Sequence, residues 1–284
     1  MQLSKIVESL SKVRGVKALA LGGSQSLNEA NEHSDFDIGL YYNTNNLDLV
    51  ALEKSLKALD DGRGENLFNP PGQWGPWING GAWLTVDSVP VDILLRDLQT
   101  VKNVVEDCIE GKITIDYQCG HPFGFVNAIY AAETHYCKPL WQDDSATLDQ
   151  LKDLLHSKGD YSPQMREAVI RRFLWEAWFS LACGRKAAFK GDLNYMMGSM
   201  FRTVCCWVEV IYAINNTYLM NEKGALSRIS NFNHKPVDLE TRVKTAYKLF
   251  ADGSVEQAYQ LLDHLHSEIE GLCSGIQLFA TKIR

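Results

Sequence analysis

Two aspartates separated by a single residue stand out in an otherwise apolar stretch of the chain. Asp35 and Asp37 occur in SDFDIGLYY, where residues 36–42 have the pattern of a half-buried strand. Residues two apart on a strand point to the same face, so the two carboxylates would repel each other unless a cation lay between them. A divalent cation with oxygen ligands, and Mg²⁺ in particular, is the expected partner.

A third aspartate, Asp92, lies in the apolar run VPVDILL on a predicted neighbouring strand. Three aspartates on adjacent strands could bind two metal ions. Such a pair of ions stabilises the attacking and leaving oxygens of a phosphoryl displacement. The sequence therefore predicts Asp35, Asp37 and Asp92 as metal ligands.

A Gly-Gly-Ser turn follows the apolar run at residues 16–21. Gly22 and Gly23 allow a close backbone approach and dihedral angles that other residues avoid. If Ser24 opens the next helix, its N–H and hydroxyl groups would point at a phosphate. The turn is therefore the predicted triphosphate-binding element, and a metal-bound triphosphate would complete the environment of the aspartates.

The combined pattern resembles the DNA polymerase β-type nucleotidyltransferase superfamily. In this pattern an apolar strand leads into Gly-Gly-Ser, and an Asp-x-Asp motif follows after ten further residues. A single aspartate occurs on a later strand. Within the superfamily, the chain is similar to bacterial small nucleotidyltransferases, including the aminoglycoside and lincosamide enzymes. The motif covers about residues 16–96, and the resemblance over the second half rests on general helical organisation.

The resemblance implies transfer of a nucleoside monophosphate from an NTP to a hydroxyl group, with pyrophosphate leaving. ATP is the expected donor, two Mg²⁺ ions are the expected cofactors, and the acceptor would be a small molecule, for example an antibiotic. By the same resemblance, Gly23 and Ser24 contact the triphosphate and Asp35 and Asp37 bind Mg²⁺. Asp92 either joins them or activates the acceptor.

One position departs from the pattern, because many relatives carry Arg or Lys where Gln25 stands. Positive charge for the triphosphate would then have to come from elsewhere. The candidates in the second half are Lys186, Lys190 and Lys223, although lysines of this kind are more often solvated surface residues than phosphate ligands. Tyr195 could stack on the nucleotide or hydrogen-bond to it.

Glu176 lies inside the otherwise apolar helical stretch RRFLWEAWFSLACGRK. In the aminoglycoside enzymes that the chain resembles, a glutamate from the C-terminal helices is the general base for the acceptor hydroxyl. The alternative for Glu176 is a surface carboxylate or an ion pair with Arg172, four residues earlier. Sequence leaves both interpretations open.

The elements that would position these residues can be predicted from periodicity. Strands are expected at 16–21 and 36–42, and a strand–turn–strand unit at 81–96 with its turn near Asp87 and Ser88. Helices are expected at 3–13, 47–59 and 97–111, with Asp97 as the N-cap of the last. Residues 63–80, which are rich in Gly, Pro and Asn, should form a loop, which could enter a strand near its end.

After about residue 120 the predicted elements are helical, with helices at 124–136, 147–156, 163–190, 193–220, 241–250 and 254–276. The predicted fold class is α/β (α+β): a mixed sheet with helices, followed by a C-terminal helical bundle. We place the catalytic domain at 1–140 and the helical domain at 141–284.

Net charge, cysteine content and the length of apolar runs indicate which kinds of binding partner and cellular compartment are expected. The 284 residues carry a net charge of −7, which disfavours a protein that mainly grips nucleic acid. Seven cysteines without a CxxC pair favour a reducing cytoplasm over a disulfide framework. No run is expected to reach transmembrane length, so no membrane partner is predicted. A homodimer is a hypothesis.

Two other functions remain open from sequence alone. In the first, the acceptor is a protein or an RNA end. In the second, the chain is a non-catalytic, antitoxin-like interaction protein that keeps the fold without turnover. Gln25 favours the second and the three aspartates argue against it.

Overall fold

The computed structural model describes residues 3–26, 35–62, 64 and 67–274. Its strands are β1 Val16–Leu21, β2 Phe36–Tyr42, β3 Phe68–Asn69, β4 Gly81–Val86, β5 Val89–Asp97, β6 Ile115–Asp116, β7 Phe125–Val126 and β8 Lys138–Gln142. Its α-helices are α1 Leu3–Leu10, α2 Gly23–Ser26, α3 Leu49–Leu59, α4 Leu98–Ile109, α5 Ala128–Tyr136, α6 Thr147–Leu155, α7 Pro163–Ala188, α8 Leu193–Ile214, α9 Ala225–Arg228, α10 Leu239–Ala251 and α11 Val255–Ser274. A short 3₁₀ turn spans Ile229–Asn231.

The chain divides into two compact units. The first comprises Met1–Asp107 and Thr114–Ser157, and the second comprises Cys108–Ile113 and Lys158–Arg284. The first contains a mixed sheet with helices and the second is helical, which confirms the predicted fold class. Strand β8 and helix α6, which lie around and after residue 140, belong to the first unit. The division of the chain into domains at residue 140 stays a prediction.

Six strands of the first unit form one sheet in the order β3-β4-β5-β2-β1-β8. Strands β2 and β5 are parallel, and the other neighbouring pairs are antiparallel. Strands β4 and β5 form a hairpin whose turn residues Asp87 and Ser88 both have positive φ, at 50° and 62°. Two such residues are characteristic of a tight type I′ hairpin turn, so the turn predicted at these positions is confirmed.

One face of the sheet is buried against helices α1 and α3. Alternate residues of β2, among them Ile38 and Leu40, pack with Leu10, Leu52 and Leu56 of these helices. Full burial of one such side chain contributes about 1.5–3 kcal/mol. Because side chains alternate along a strand, this register sends the intervening residues of β2 to the opposite face.

The opposite face carries a buried ion pair. Arg96 of β5 is 2% exposed and donates two hydrogen bonds to the Glu133 carboxylate of α5, at 2.7 and 2.6 Å. Burial disfavours the Arg96 charge, but Glu133 outweighs this effect and raises the pKa of the guanidinium. The pair therefore joins α5 to the sheet.

Several helices begin at the side-chain caps expected from their residue types. The Asp97 carboxylate accepts a hydrogen bond from the Thr100 N–H at 2.8 Å, which confirms Asp97 as the cap of α4. Ser162 caps α7 ahead of Pro163, and Asp192 caps α8. The two long helices are thus separated by only a few residues and pack along each other in the second unit.

Helix α8 is shorter than predicted, because it ends at Ile214 and Asn216 has a φ of 50° that stops the helix. Its length and composition alone would suit a membrane span, so the expectation that no run reaches that length is wrong. However, 72% of the most apolar 18-residue stretch of this helix is buried among neighbouring elements, as is usual for a core helix.

Candidate active site

Asp37 and Asp92 lie side by side on the sheet. Asp37 of β2 is the register partner of Asp92 of β5, and the strands are parallel. Neighbouring strands are about 5 Å apart, so the two carboxylates leave the same face at that spacing. The prediction that Asp92 stands on a neighbouring strand is confirmed.

The Gly-Gly-Ser turn contacts Asp37 of this pair. The Gly22 N–H donates a hydrogen bond to the Asp37 carbonyl oxygen at 2.8 Å. Gly23 has a φ of 53°, and a Cβ atom added there would overlap the Asp37 carboxylate. Any other residue would be strained at this φ and would displace the Asp37 carboxylate, so glycine is favoured here. Ser24 belongs to α2, but its side chain lies outside the described part of the structure.

Asp35 lies directly before β2 and is exposed. Across residues 3–26, 35–62, 64 and 67–274, no group of three or more His, Cys, Asp or Glu side chains is gathered as a metal site. The pair Asp37 and Asp92 still fits Mg²⁺, which typically takes one or two protein carboxylates and completes its shell with substrate phosphates and water. Asp35 as a third ligand stays a prediction.

A lysine that the sequence did not indicate lies beside the turn. Lys138 of β8 pairs in register with Leu21, the residue before Gly22. Its ammonium group donates a hydrogen bond to the carbonyl oxygen of Gln25 at 3.0 Å. Positive charge is therefore present next to the position where Gln25 replaces a basic residue. Strand β8 was not predicted, so its lysine could not be placed near a turn more than 110 residues earlier.

A pocket of the first unit lies at the other end of the same strands. It has a volume of about 950 Å³ and is lined by Tyr42 and Asp97, where β2 and β5 end, together with residues of α4 and α6. Asn79 also lines it. Its amide donates a hydrogen bond to the Tyr42 hydroxyl at 3.4 Å, and its buried Oδ1 atom has no hydrogen-bond partner among the residues that the structure describes. Asp37 and Asp92 are not part of this pocket.

The remaining predicted residues belong to the second unit. Glu176 of α7 accepts a hydrogen bond from Arg202 of α8 at 2.7 Å, so its ion-pair partner is Arg202 and not Arg172. Arg172 instead donates to the Ile113 carbonyl oxygen. Lys186, Lys190 and Lys223 are exposed, and Tyr195 is 54% exposed in the first turn of α8.

Comparison with known proteins defines the class of the first unit. Residues 1–108 match the nucleotidyltransferase domain family. The match contains the Gly-Gly-Ser turn and all three aspartates, and it confirms the resemblance drawn from the motif for this part of the chain. Domains of this family use an NTP and a divalent metal, so the match supports nucleotidyl transfer as the general activity.

A solved structure that is similar to this chain is that of a nucleotidyltransferase-like protein from Exiguobacterium sibiricum. It is 9% identical, the alignment covers 96% of this chain and 73% of the other, and the TM-score is 0.43. No curated protein matches the chain in sequence.

Proposed function

We propose that this protein transfers a nucleoside monophosphate from a magnesium-bound NTP to a hydroxyl group of a small-molecule acceptor. The acceptor oxygen forms a bond to the α-phosphorus, the bond from that phosphorus to the bridging oxygen breaks, and pyrophosphate leaves. ATP is the expected donor. The observation that carries the proposal is the adjacency of Asp37, Asp92 and the side-chain-free backbone of Gly23.

Asp37 and Asp92 are the residues that would hold the metal, with Asp35 as a further ligand. Mg²⁺ bound there supplies charge stabilisation to the oxygens of the phosphoryl group during displacement. The two carboxylates are preorganised by the register of β2 and β5, so no backbone rearrangement is required to bring them together.

The triphosphate would lie along the Gly22–Gly23 turn. The absence of a side chain at Gly23 lets a phosphate approach the backbone next to Asp37. Lys138 would neutralise part of the phosphate charge, which removes the main argument that Gln25 offered for a non-catalytic protein. Ser24, Lys186, Lys190, Tyr195 and Lys223 stay proposed nucleotide contacts.

The acceptor proton must go to a base within hydrogen-bond reach, and we propose a carboxylate for this role. Asp92 is one candidate and Glu176 is the other. Glu176 already holds the Arg202 guanidinium with one oxygen, which orients the carboxylate. Replacing Asp92 by Asn would remove a metal ligand and weaken Mg-NTP binding, whereas Glu176→Gln would lower turnover with nucleotide binding unchanged if Glu176 is the base.

The first test is the melting temperature of the protein with ATP, GTP, CTP and UTP, each with and without Mg²⁺. A ligand that binds only the folded state raises the melting temperature by mass action. We expect one nucleotide to stabilise the protein in the presence of Mg²⁺ only. Asp37→Asn and Asp92→Asn should each abolish that stabilisation.

Asp153→Asn is the matched control, because Asp153 is an exposed carboxylate on α6 of the same unit. This variant should respond to Mg-NTP as the wild type does. Stabilisation that survives in Asp37→Asn and Asp92→Asn would contradict the metal assignment. No stabilisation by any nucleotide would favour the interaction-protein alternative.

A further inference from the structure

A pair of stacked tryptophans lies beside the two aspartates. Trp83 of β4 is the register partner of Asp92, which is in turn the register partner of Asp37. The three side chains therefore leave the same face of the sheet in one row across three strands. The Trp83 indole stacks on Trp74, with ring centroids 4.6 Å apart and planes inclined by 23°.

The backbone makes room for this stack. A Cβ atom at Gly81 would lie 2.8 Å from Cζ3 of Trp74, so the Trp74 ring lies directly over the backbone of Gly81. The segment that carries Trp74 is held by Gln118, which is 3% exposed and donates a hydrogen bond to the Trp74 carbonyl oxygen at 2.7 Å. The same glutamine accepts the Ile78 N–H at 3.3 Å.

Despite this support, the Trp83 side chain is not covered. Its exposed fraction is 62%, although apolar aromatic rings contribute most when they are buried. A supported aromatic ring with an open surface next to a reactive centre is suited to stacking on a ligand ring.

The geometry of the displacement reaction indicates whether this ligand ring belongs to the nucleotide or to the acceptor. The attacking and leaving oxygens lie roughly in line on opposite sides of the phosphorus. If pyrophosphate leaves along the Gly22–Gly23 turn, on the Asp37 side, the attacking hydroxyl must approach from the Asp92 side. Trp83 is one strand beyond Asp92, at a spacing of about 5 Å, which is on the scale of a single ring.

We propose that Trp74 and Trp83 form the acceptor-binding surface, and that the acceptor is a hydroxyl compound built on a ring with a flat apolar face. Pyranose rings and aromatic rings share this property, whereas acyclic polyols lack it. The inference rests on the proposed function, because it takes the direction of pyrophosphate departure from it.

The test uses the full chain with α-labelled Mg-NTP and three probe acceptors: methyl glucoside, the aromatic alcohol tyrosol, and the acyclic polyol sorbitol. Label transfer and additional thermal stabilisation over Mg-NTP alone are both measured. We expect one of the ring compounds to bind or accept label, and sorbitol to do neither. The comparison of glucoside with tyrosol distinguishes a sugar from an aromatic acceptor.

Three variants then locate the effect. Trp83→Ala should raise the KM or Kd of the ring compound about tenfold, with the KM of the nucleotide unchanged. Trp83→Phe should retain most of the affinity. Tyr117→Ala removes an aromatic side chain that is 83% exposed in the same unit and should behave as the wild type.

The outcomes separate this inference from the proposed function. If Mg-NTP stabilises the protein but no ring compound binds or accepts label, the acceptor surface is overturned and the proposed function stands. If Trp83→Ala weakens nucleotide binding instead, the pair contacts the base and the inference is wrong. If no nucleotide binds, the proposed function fails and the inference fails with it.

Discussion

Lys138 illustrates how one side chain can change the chemistry expected of a site. Its ammonium group binds the Gln25 carbonyl oxygen at the Gly-Gly-Ser turn and comes from the far end of the first unit's sequence. A cation there would favour a bound triphosphate even though residue 25 itself is neutral. Substitution of Lys138 is therefore a direct test of the proposed triphosphate-binding site.

We predict that Lys138→Gln raises the Kd of Mg-NTP by a few-fold to about tenfold, because one charge-assisted contact to phosphate is lost. Lys138→Arg should keep most of the affinity, since it preserves the charge. Titration calorimetry measures the effect. Lys54→Gln, an exposed lysine on α3, serves as the control. Equal affinity in Lys138→Gln and the wild type would remove Lys138 from the site.

At the scale of elements, the Arg96–Glu133 pair connects α5 to the central strand β5. Arg96 also lies over the Tyr130 ring, 5.3 Å from its centroid. A buried guanidinium is tolerated only while its partner carboxylate is present, because an unpaired charge in the interior is costly. The ion pair therefore anchors α5 to strand β5 near the end of the strand that is opposite to Asp92.

We predict that Glu133→Gln lowers the free energy of unfolding by about 3 kcal/mol, because it leaves Arg96 buried without a counter-charge. The double variant Arg96→Met with Glu133→Leu should recover much of the loss. Urea denaturation measures both. Glu8→Gln, which breaks the exposed pair with Lys12, should have no measurable effect. A small loss in Glu133→Gln would show that the pair is dispensable.

For the molecule as a whole, stability should depend on pH through Glu209. This glutamate of α8 is 7% exposed, and burial together with the neighbouring Glu222 raises its pKa to about 8. The unfolded state has a carboxyl pKa of about 4.3. Between these values the folded state keeps a proton that the unfolded state has lost.

Stability from this group is therefore complete below about pH 4 and falls as pH rises toward 8, by at most about 1.4 kcal/mol per unit. We predict that Glu209→Gln removes this decline and makes the protein more stable than the wild type at pH 8. Urea midpoints at pH 5 and pH 8 measure it, with the exposed Glu256→Gln as the control. An unchanged decline in Glu209→Gln would refute the assignment.

Much of the first unit could be predicted because its signals are local. Strands β1 and β2 have the predicted bounds, since apolar runs of that length between turn residues specify strands. The hairpin turn at Asp87 and Ser88 and the cap at Asp97 likewise depend on neighbours in sequence. Strand β8 was missed because its pairing partner β1 is more than 100 residues away.

The sequence by itself determined the class of chemistry. Gly22, Gly23 and the aspartates have the residue types and spacing expected of a site for a phosphate and a cation. Tertiary structure decided the rest, because register and packing are not encoded locally. It set Asp92 beside Asp37, brought Lys138 to the turn, paired Glu176 with Arg202, and aligned Trp83 with the aspartates. These placements follow from strand order and helix packing, which fix distances that no local pattern contains.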